Sequence, residues 1–211
     1  MTWGDAIWPI IVSAGLVLIP GGAIGYFLGL RRISLLGLAP VFSISVISLT
    51  AIVLAPAHIR WGLIPVVAAT VLASAAAWVI RRIVIKRHST AFASPSDVGL
   101  TRWMLGGTAI AAVAIGWRLM ATIGVPSNIS QTYDAVFHLN ALRYIMNTGN
   151  ASSLALSGPP LNGIETGGFY PGGWHDLTTL VALTTGTSIP IAVSATTVVI
   201  GALVWPLGLL F

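Results

Sequence analysis

From Ile7 to Leu30 not one charged residue occurs, and the same is true from Ile33 to Ala57 and from Gly62 to Ile80. A helix needs about 20 apolar residues to cross the hydrocarbon core of a bilayer, and it satisfies its own backbone polar groups as it does so. Trp103 to about Ile123 supplies a fourth span and about Ile191 to Phe211 a last one. Between these two, Leu177 to Thr185 is apolar but short and rich in threonine. It reaches span length only if its helix starts near Pro171, and is otherwise re-entrant. The sequence therefore predicts an all-α, polytopic integral membrane protein of about six transmembrane helices. Composition agrees: 56% of residues are hydrophobic and 7% charged, where a soluble domain carries roughly a quarter charged.

Local signals refine the spans. Pro20-Gly21-Gly22 predicts a kink or break in the first. Ser188-Ile189-Pro190 has the form of a helix start, with Ser188 as N-cap and proline in the first turn. The N-terminus lacks the basic region of a signal peptide, so the first apolar run is read as a retained span. There are no cysteines, which excludes disulfides, thiolate metal sites and thiol nucleophiles. Gly201 to Phe211 is still apolar where the sequence stops, and we expect the natural chain to continue.

The net charge of +5 does not point to nucleic acid, because the basic residues sit between apolar runs. Arg31 and Arg32 separate spans one and two; Arg81, Arg82, Lys86, Arg87 and Arg102 lie between three and four. Those two loops hold seven of the ten lysines and arginines. Basic loops remain cytoplasmic, which places the chain in the plasma membrane with its N-terminus and the long loop 125–176 extracytoplasmic. We read three parts: a three-span unit over 1–86, a polar cytoplasmic linker over 87–102, and a second unit over 103–211 that owns the loop.

That loop carries three of the five acids, Asp134, Glu165 and Asp176. From Thr132 to Met146 it lacks proline and glycine, and Gly149 fits a C-cap, so a helix is predicted. The helix is apolar almost all round and is expected to lie at the membrane interface beneath other protein. Asp134 and His138, four apart, share one face. A carboxylate and an imidazole so placed fit a divalent metal site, a base with its orienting partner, or a simple structural hydrogen bond. The second patch runs from Glu165 through Tyr170 and Trp174 to His175 and Asp176. Its glycines and proline predict a tight irregular backbone, with the aromatics at headgroup depth. Asp176 is placed to cap a helix, to orient His175 or to meet a cation. Asp134, His138 and His175 are the candidate metal ligands. Arg118, a charge inside span four, either snorkels or meets an anion.

The order of these features resembles the polytopic membrane glycosyltransferases of the GT-C superfamily, and more closely a group of actinobacterial membrane proteins similar to them. The resemblance rests on span four, on Asp134-Ala-Val-Phe-His138 and on Phe169-Tyr-Pro-Gly-Gly-Trp-His175, and covers about Trp103 to Phe211. It implies a cell-envelope enzyme that takes a sugar from a polyprenyl-phosphate donor at the extracytoplasmic face. Asp134 would then be the catalytic base, with His138 as its neighbour. Glu165, Tyr170, His175 and Asp176 would contact substrate, and Arg118, by our own inference, the donor phosphate. The sequence departs from the family pattern in two ways. Asp134 is followed by Ala135 rather than a second acid, and the acidic loop follows the fourth span rather than the first. The chain also holds fewer spans than such an enzyme needs, so it would be an N-terminal part, inactive alone. The alternative is a non-enzymatic membrane protein, a transporter subunit or assembly factor, whose outer loop binds a partner or metal.

Overall fold

The computed structural model describes residues 2–84, 98–157 and 168–210. Glu165 and most of the linker expected at 87–102 lie outside them. Helix α1 spans Ile7–Leu28, α2 Arg32–Leu54, α3 Leu63–Val84 and α4 Val98–Ile123. Helix α5 spans Tyr133–Thr148 and α6 Gly173–Thr185. The last helix, α7, covers Ile189–Val199 and continues through a π-helical turn, Ile200–Val204, into Trp205–Gly208. Among the described residues no strand occurs.

Five of these helices are long and apolar enough to cross a membrane: α1, α2, α3, α4 and the continuous Ile189–Gly208. Their outer surfaces are apolar, with Ile64 83%, Trp103 82% and Ile110 74% exposed. Such faces are stable only against lipid or further protein. The chain is a multi-pass helical membrane protein.

The sixth segment behaves differently. At 13 residues, α6 is about 20 Å long against a core of about 30 Å. It does not span; it fills the middle of the bundle. Every residue from His175 to Ala182 is buried, and α1, α2, α5 and α7 all pack on it. Leu177, Leu180 and Val181 meet Leu16 and Val17 of α1, Ile47 of α2 and Ala192 of α7 in one core. The expected three-span unit and the second unit thus share a hydrophobic centre. Over His175 to Ala182 the helix has no exposed side, which is why it tolerates Asp176, Thr178 and Thr179 there.

No break occurs at Pro20, which lies inside α1. Proline removes a backbone donor and crowds the preceding turn, and the neighbouring helix takes up the next backbone N–H. The Gly21 N–H donates to the Ser43 hydroxyl of α2 at 2.7 Å. A side chain at Gly21 would land on the Ala39 carbonyl oxygen, so the glycine here serves close helix approach, as small residues do between membrane helices.

Two ends of the bundle can be told apart. The Trp3 indole N–H donates to the Gly124 carbonyl at 2.7 Å, joining the start of α1 to the end of α4. The Trp61 backbone N–H, in the α2–α3 connection, donates to the Gly149 carbonyl at 2.8 Å, bringing in the end of α5. At the opposite end the Arg31 guanidinium lies 4.1 Å from the centre of the Tyr26 ring, and Arg81 packs against Gly29. Arg31 and Arg81 therefore lie at the end away from α5, while Arg60 lies at the α5 end, against Gly149.

Gly149 closes α5 as its sequence position suggests, with φ 72° and its N–H on the Ile145 carbonyl at 2.8 Å. A β-carbon there would be strained by the left-handed backbone and would press on Arg60, 3.1 Å away. Gly149→Ala is expected to lower stability by about 1–2 kcal/mol, read as a fall in the thermal unfolding midpoint in detergent. Gly149→Asn should lose less, because asparagine tolerates this conformation; equal loss for both would put the effect in the Arg60 contact instead. Ser188 also starts its helix as expected, but through its backbone: its carbonyl accepts from Ala192, and its hydroxyl makes no capping bond.

Candidate functional site

Two segments build the site. Helix α5 buries Ala141, Leu142 and Ile145 against α6 and α7 and leaves Tyr133, Asp134, Asn140 and Arg143 exposed. The residues entering α6 are held by serines. Ser153 accepts from the Tyr170 N–H with its carbonyl, at 2.9 Å, and from the Gly172 N–H with its hydroxyl, at 3.1 Å. Gly172 and Gly173 let this backbone sit against Leu156 on one side and Ser48 of α2 on the other. The aromatic-glycine run of the sequence thus forms a clamp that fixes the first turn of α6.

That clamp brings His175 against α5. His138 Nδ1 and His175 Nε2 are 3.0 Å apart, a hydrogen bond between imidazoles 37 residues apart in sequence. His175 is almost wholly buried and ringed by aromatics. Trp174, Tyr170 and Phe137 meet it edge-on, with ring centres at 5.0, 5.6 and 6.1 Å. Its Nδ1 is buried without a partner among the described residues. Burial first, and the neighbouring His138 second, hold the His175 imidazole down at about 4, so it is neutral at pH 7.

His138 is half-buried, and Asp134, one turn earlier, is exposed. Both line two cavities on either side of α5. One, of about 310 Å³, is bounded by Asn128, Ser130, Thr132 and Trp174, with Pro190 and Val193 of α7. The other, of about 570 Å³, is bounded by Tyr133, Phe137, Asn140 and Tyr170. Asp134 is thus a carboxylate open to both cavities. Among the described residues no hydrogen bond joins it to His138, whose partner is His175 instead.

The remaining candidates separate. Asp176 neither caps α6 with its side chain nor orients His175. It is fully buried at the first turn of the helix, with no partner for either carboxyl oxygen among the described residues, and burial pushes it up to about 8. Tyr170 stays in the site, its ring 4.7 Å from that of Phe137. Arg118 is exposed on α4 and lines neither cavity. Among the described residues no group of three or more His, Asp or Glu is arranged to hold a metal ion. Trp174, expected only as an interfacial anchor, lies 5.6 Å from His138, ring to ring, and walls the smaller cavity. Its position next to His175 was the only signal available in the sequence. Trp61 was silent there, yet its indole N–H reaches the Asp176 carbonyl at 3.3 Å.

One family model matches residues 14–211, nearly the whole chain. The chain belongs to DUF6541, a family of unknown function. The match runs continuously from α1 through α7, so the DUF6541 region contains both the buried α6 and the α5 site. No curated protein and no solved structure matches the chain.

Proposed function

We propose that this chain is part of a membrane glycosyltransferase that moves a sugar from a polyprenyl-phosphate donor to an acceptor hydroxyl, with Asp134 as general base. The observation that carries the reading is the open Asp134 carboxylate shared by two cavities, one on each side of α5. Two cavities meeting at one carboxylate suit a reaction between two ligands. The acceptor O–H proton passes to Asp134 as its oxygen bonds to the anomeric carbon. The bond from that carbon to the phosphate oxygen breaks, and the lipid phosphate leaves with the electron pair. Trp174 and Tyr170 supply aromatic faces for a sugar ring, with Asn128, Thr132 and Asn140 as polar contacts.

The end bearing Arg31 and Arg81 faces the cytoplasm in this reading, and the α5 site lies at the extracytoplasmic surface of the plasma membrane, where lipid-linked donors are used. A non-enzymatic role would instead bury Asp134 and His138 in a structural network, and Asp134 is exposed. Arg118 has no part in the proposed site.

The test is transfer by the full-length protein in proteoliposomes, with a radiolabelled sugar on polyprenyl phosphate. Asp134→Asn is expected to reduce transfer by roughly two to four orders of magnitude while leaving membrane insertion and thermal stability unchanged. Transfer at the wild-type rate in this variant would remove the assignment.

A further inference from the structure

The bond between His138 and His175 contains room for one hydrogen, and where that hydrogen sits determines what His138 offers to a ligand. If His175 Nε2 carries it, His138 Nδ1 accepts, and neutral His138 then bears its own hydrogen on Nε2. If His138 Nδ1 carries it, both rings are reversed: His138 Nε2 is a bare lone pair, and His175 must hold a hydrogen on Nδ1.

Two considerations select the first arrangement. His175 Nδ1 is buried without a partner among the described residues; a hydrogen there would be an unpaired buried donor, which proteins avoid more strictly than an unused acceptor. Free neutral histidine also prefers its hydrogen on Nε2, and the first arrangement puts both rings in that tautomer while the second puts neither. The rings of Phe137, Tyr170 and Trp174 pack edge-on around His175.

We infer that His175 is a positioning residue that occupies Nδ1 of His138 and so leaves His138 as a neutral imidazole whose Nε2–H is a hydrogen-bond donor to a ligand oxygen in the α5 cavities. His138 lines both cavities, and its Nε2 is not among the buried unpartnered atoms. The site therefore pairs an acceptor, the Asp134 carboxylate, with a donor one helical turn away. The ligand this fits carries a hydroxyl beside an anionic or ether oxygen, such as a glycosyl phosphate. A neutral donor stabilises charge growing on that oxygen without giving up a proton and without needing acidic pH. The substrate part of this inference rests on the transferase reading; the tautomer does not.

Among the described residues the titratable groups around the pair are few. Asp134 lies on α5 with His138, Tyr170 stands in the clamp, and Asp176 follows His175 on α6. Helix α7 presents only Pro190 and Val193 to this side, and Arg143 is exposed on α5.

The experiment is 15N NMR of the histidine-labelled protein in nanodiscs, without ligand, from pH 5.5 to 8. The chain has four histidines, and His138→Gln and His175→Phe assign the two signals. We expect His138 to show a protonated Nε2 and an unprotonated Nδ1 at neutral pH. In His175→Phe, which keeps an aromatic ring in the box, that separation should collapse toward the average of a free imidazole. A hydrogen on His138 Nδ1, or a His138 signal identical with and without His175, overturns the inference; the wild-type spectrum alone decides the first point if the variant fails to fold. Loss of the Asp134→Asn effect on transfer would remove the enzyme assignment and leave the tautomer standing. A wrong tautomer would do the reverse.

Discussion

Raising the pH from 6.5 to 8 is expected to destabilise the purified chain by roughly 1.5 kcal/mol, and Asp176→Asn should abolish that loss. Asp176 is held protonated by its burial in α6, titrating at about 8 against 3.8 for the unperturbed group. A raised folded-state value means that the native chain keeps a proton which the unfolded chain releases. Between 3.8 and about 8 the Asp176 contribution to stability therefore falls as pH rises, by about 1.4 kcal/mol per unit. His175 works in the opposite direction. Depressed from 6.5 to about 4, it stays neutral in the fold while the unfolded chain is protonated, so its contribution rises with pH over that window.

From about pH 4 to 6.5 the two slopes oppose each other and the sum is nearly level. Above 6.5 only Asp176 still acts, and stability falls. In Asp176→Asn the pattern changes sign: stability should climb from pH 4 to 6.5 and then hold. Thermal unfolding midpoints in detergent at pH 4.5, 6.5 and 8 distinguish the cases. Equal wild-type midpoints at 6.5 and 8 would mean that the buried Asp176 carboxyl does not keep its proton in the folded chain.

Trp61→Ala should be the most damaging single truncation outside the spans, at about 3–5 kcal/mol. Trp61 is 6% exposed and sits where three parts of the chain meet: the α2–α3 connection, the end of α5 and the first turns of α6. Its backbone N–H on Gly149 survives substitution, whereas its indole volume and the indole N–H on the Asp176 carbonyl do not. Trp61→Phe keeps most of the volume and should lose only about 1 kcal/mol, the worth of one hydrogen bond. An unfolding midpoint for Trp61→Ala no lower than that for Trp61→Phe would show that packing at this point carries little.

These residues also show what the sequence could and could not announce. The long apolar runs declare five spans, because length and absence of charge are local properties. Gly149 and Ser188 mark helix ends for the same reason. Asp134 and His138 were legible as one face of one helix, since i and i+4 fix that by geometry. Their actual relation was not, because His138 is claimed by His175 from another element, and no periodicity reports a contact across 37 residues. Pro20 shows the same limit in reverse: at a local signal for a kink or break the helix runs on unbroken, with the Gly21 N–H met by Ser43, a residue of the next helix. For α6 the signals were its shortness and its threonines, and these left open whether it spans. Its enclosure by four neighbours, which explains both, is a property of the assembled bundle.

That enclosure has a consequence for how the protein is made. A growing chain sorts its helices between channel and lipid largely by their own hydrophobicity. Helix α6, 13 residues long with an aspartate in its first turn, lacks the length to be retained by that sorting. We expect it to settle only when α7 has emerged and, with α1 and α2, offers it a protein-lined slot. The centre of this molecule is then the last part to arrive, and its biogenesis is a docking step rather than an insertion step. Glycosylation mapping on chains arrested before and after α7 would reveal this order. A segment 173–185 already protected before α7 emerges would contradict it.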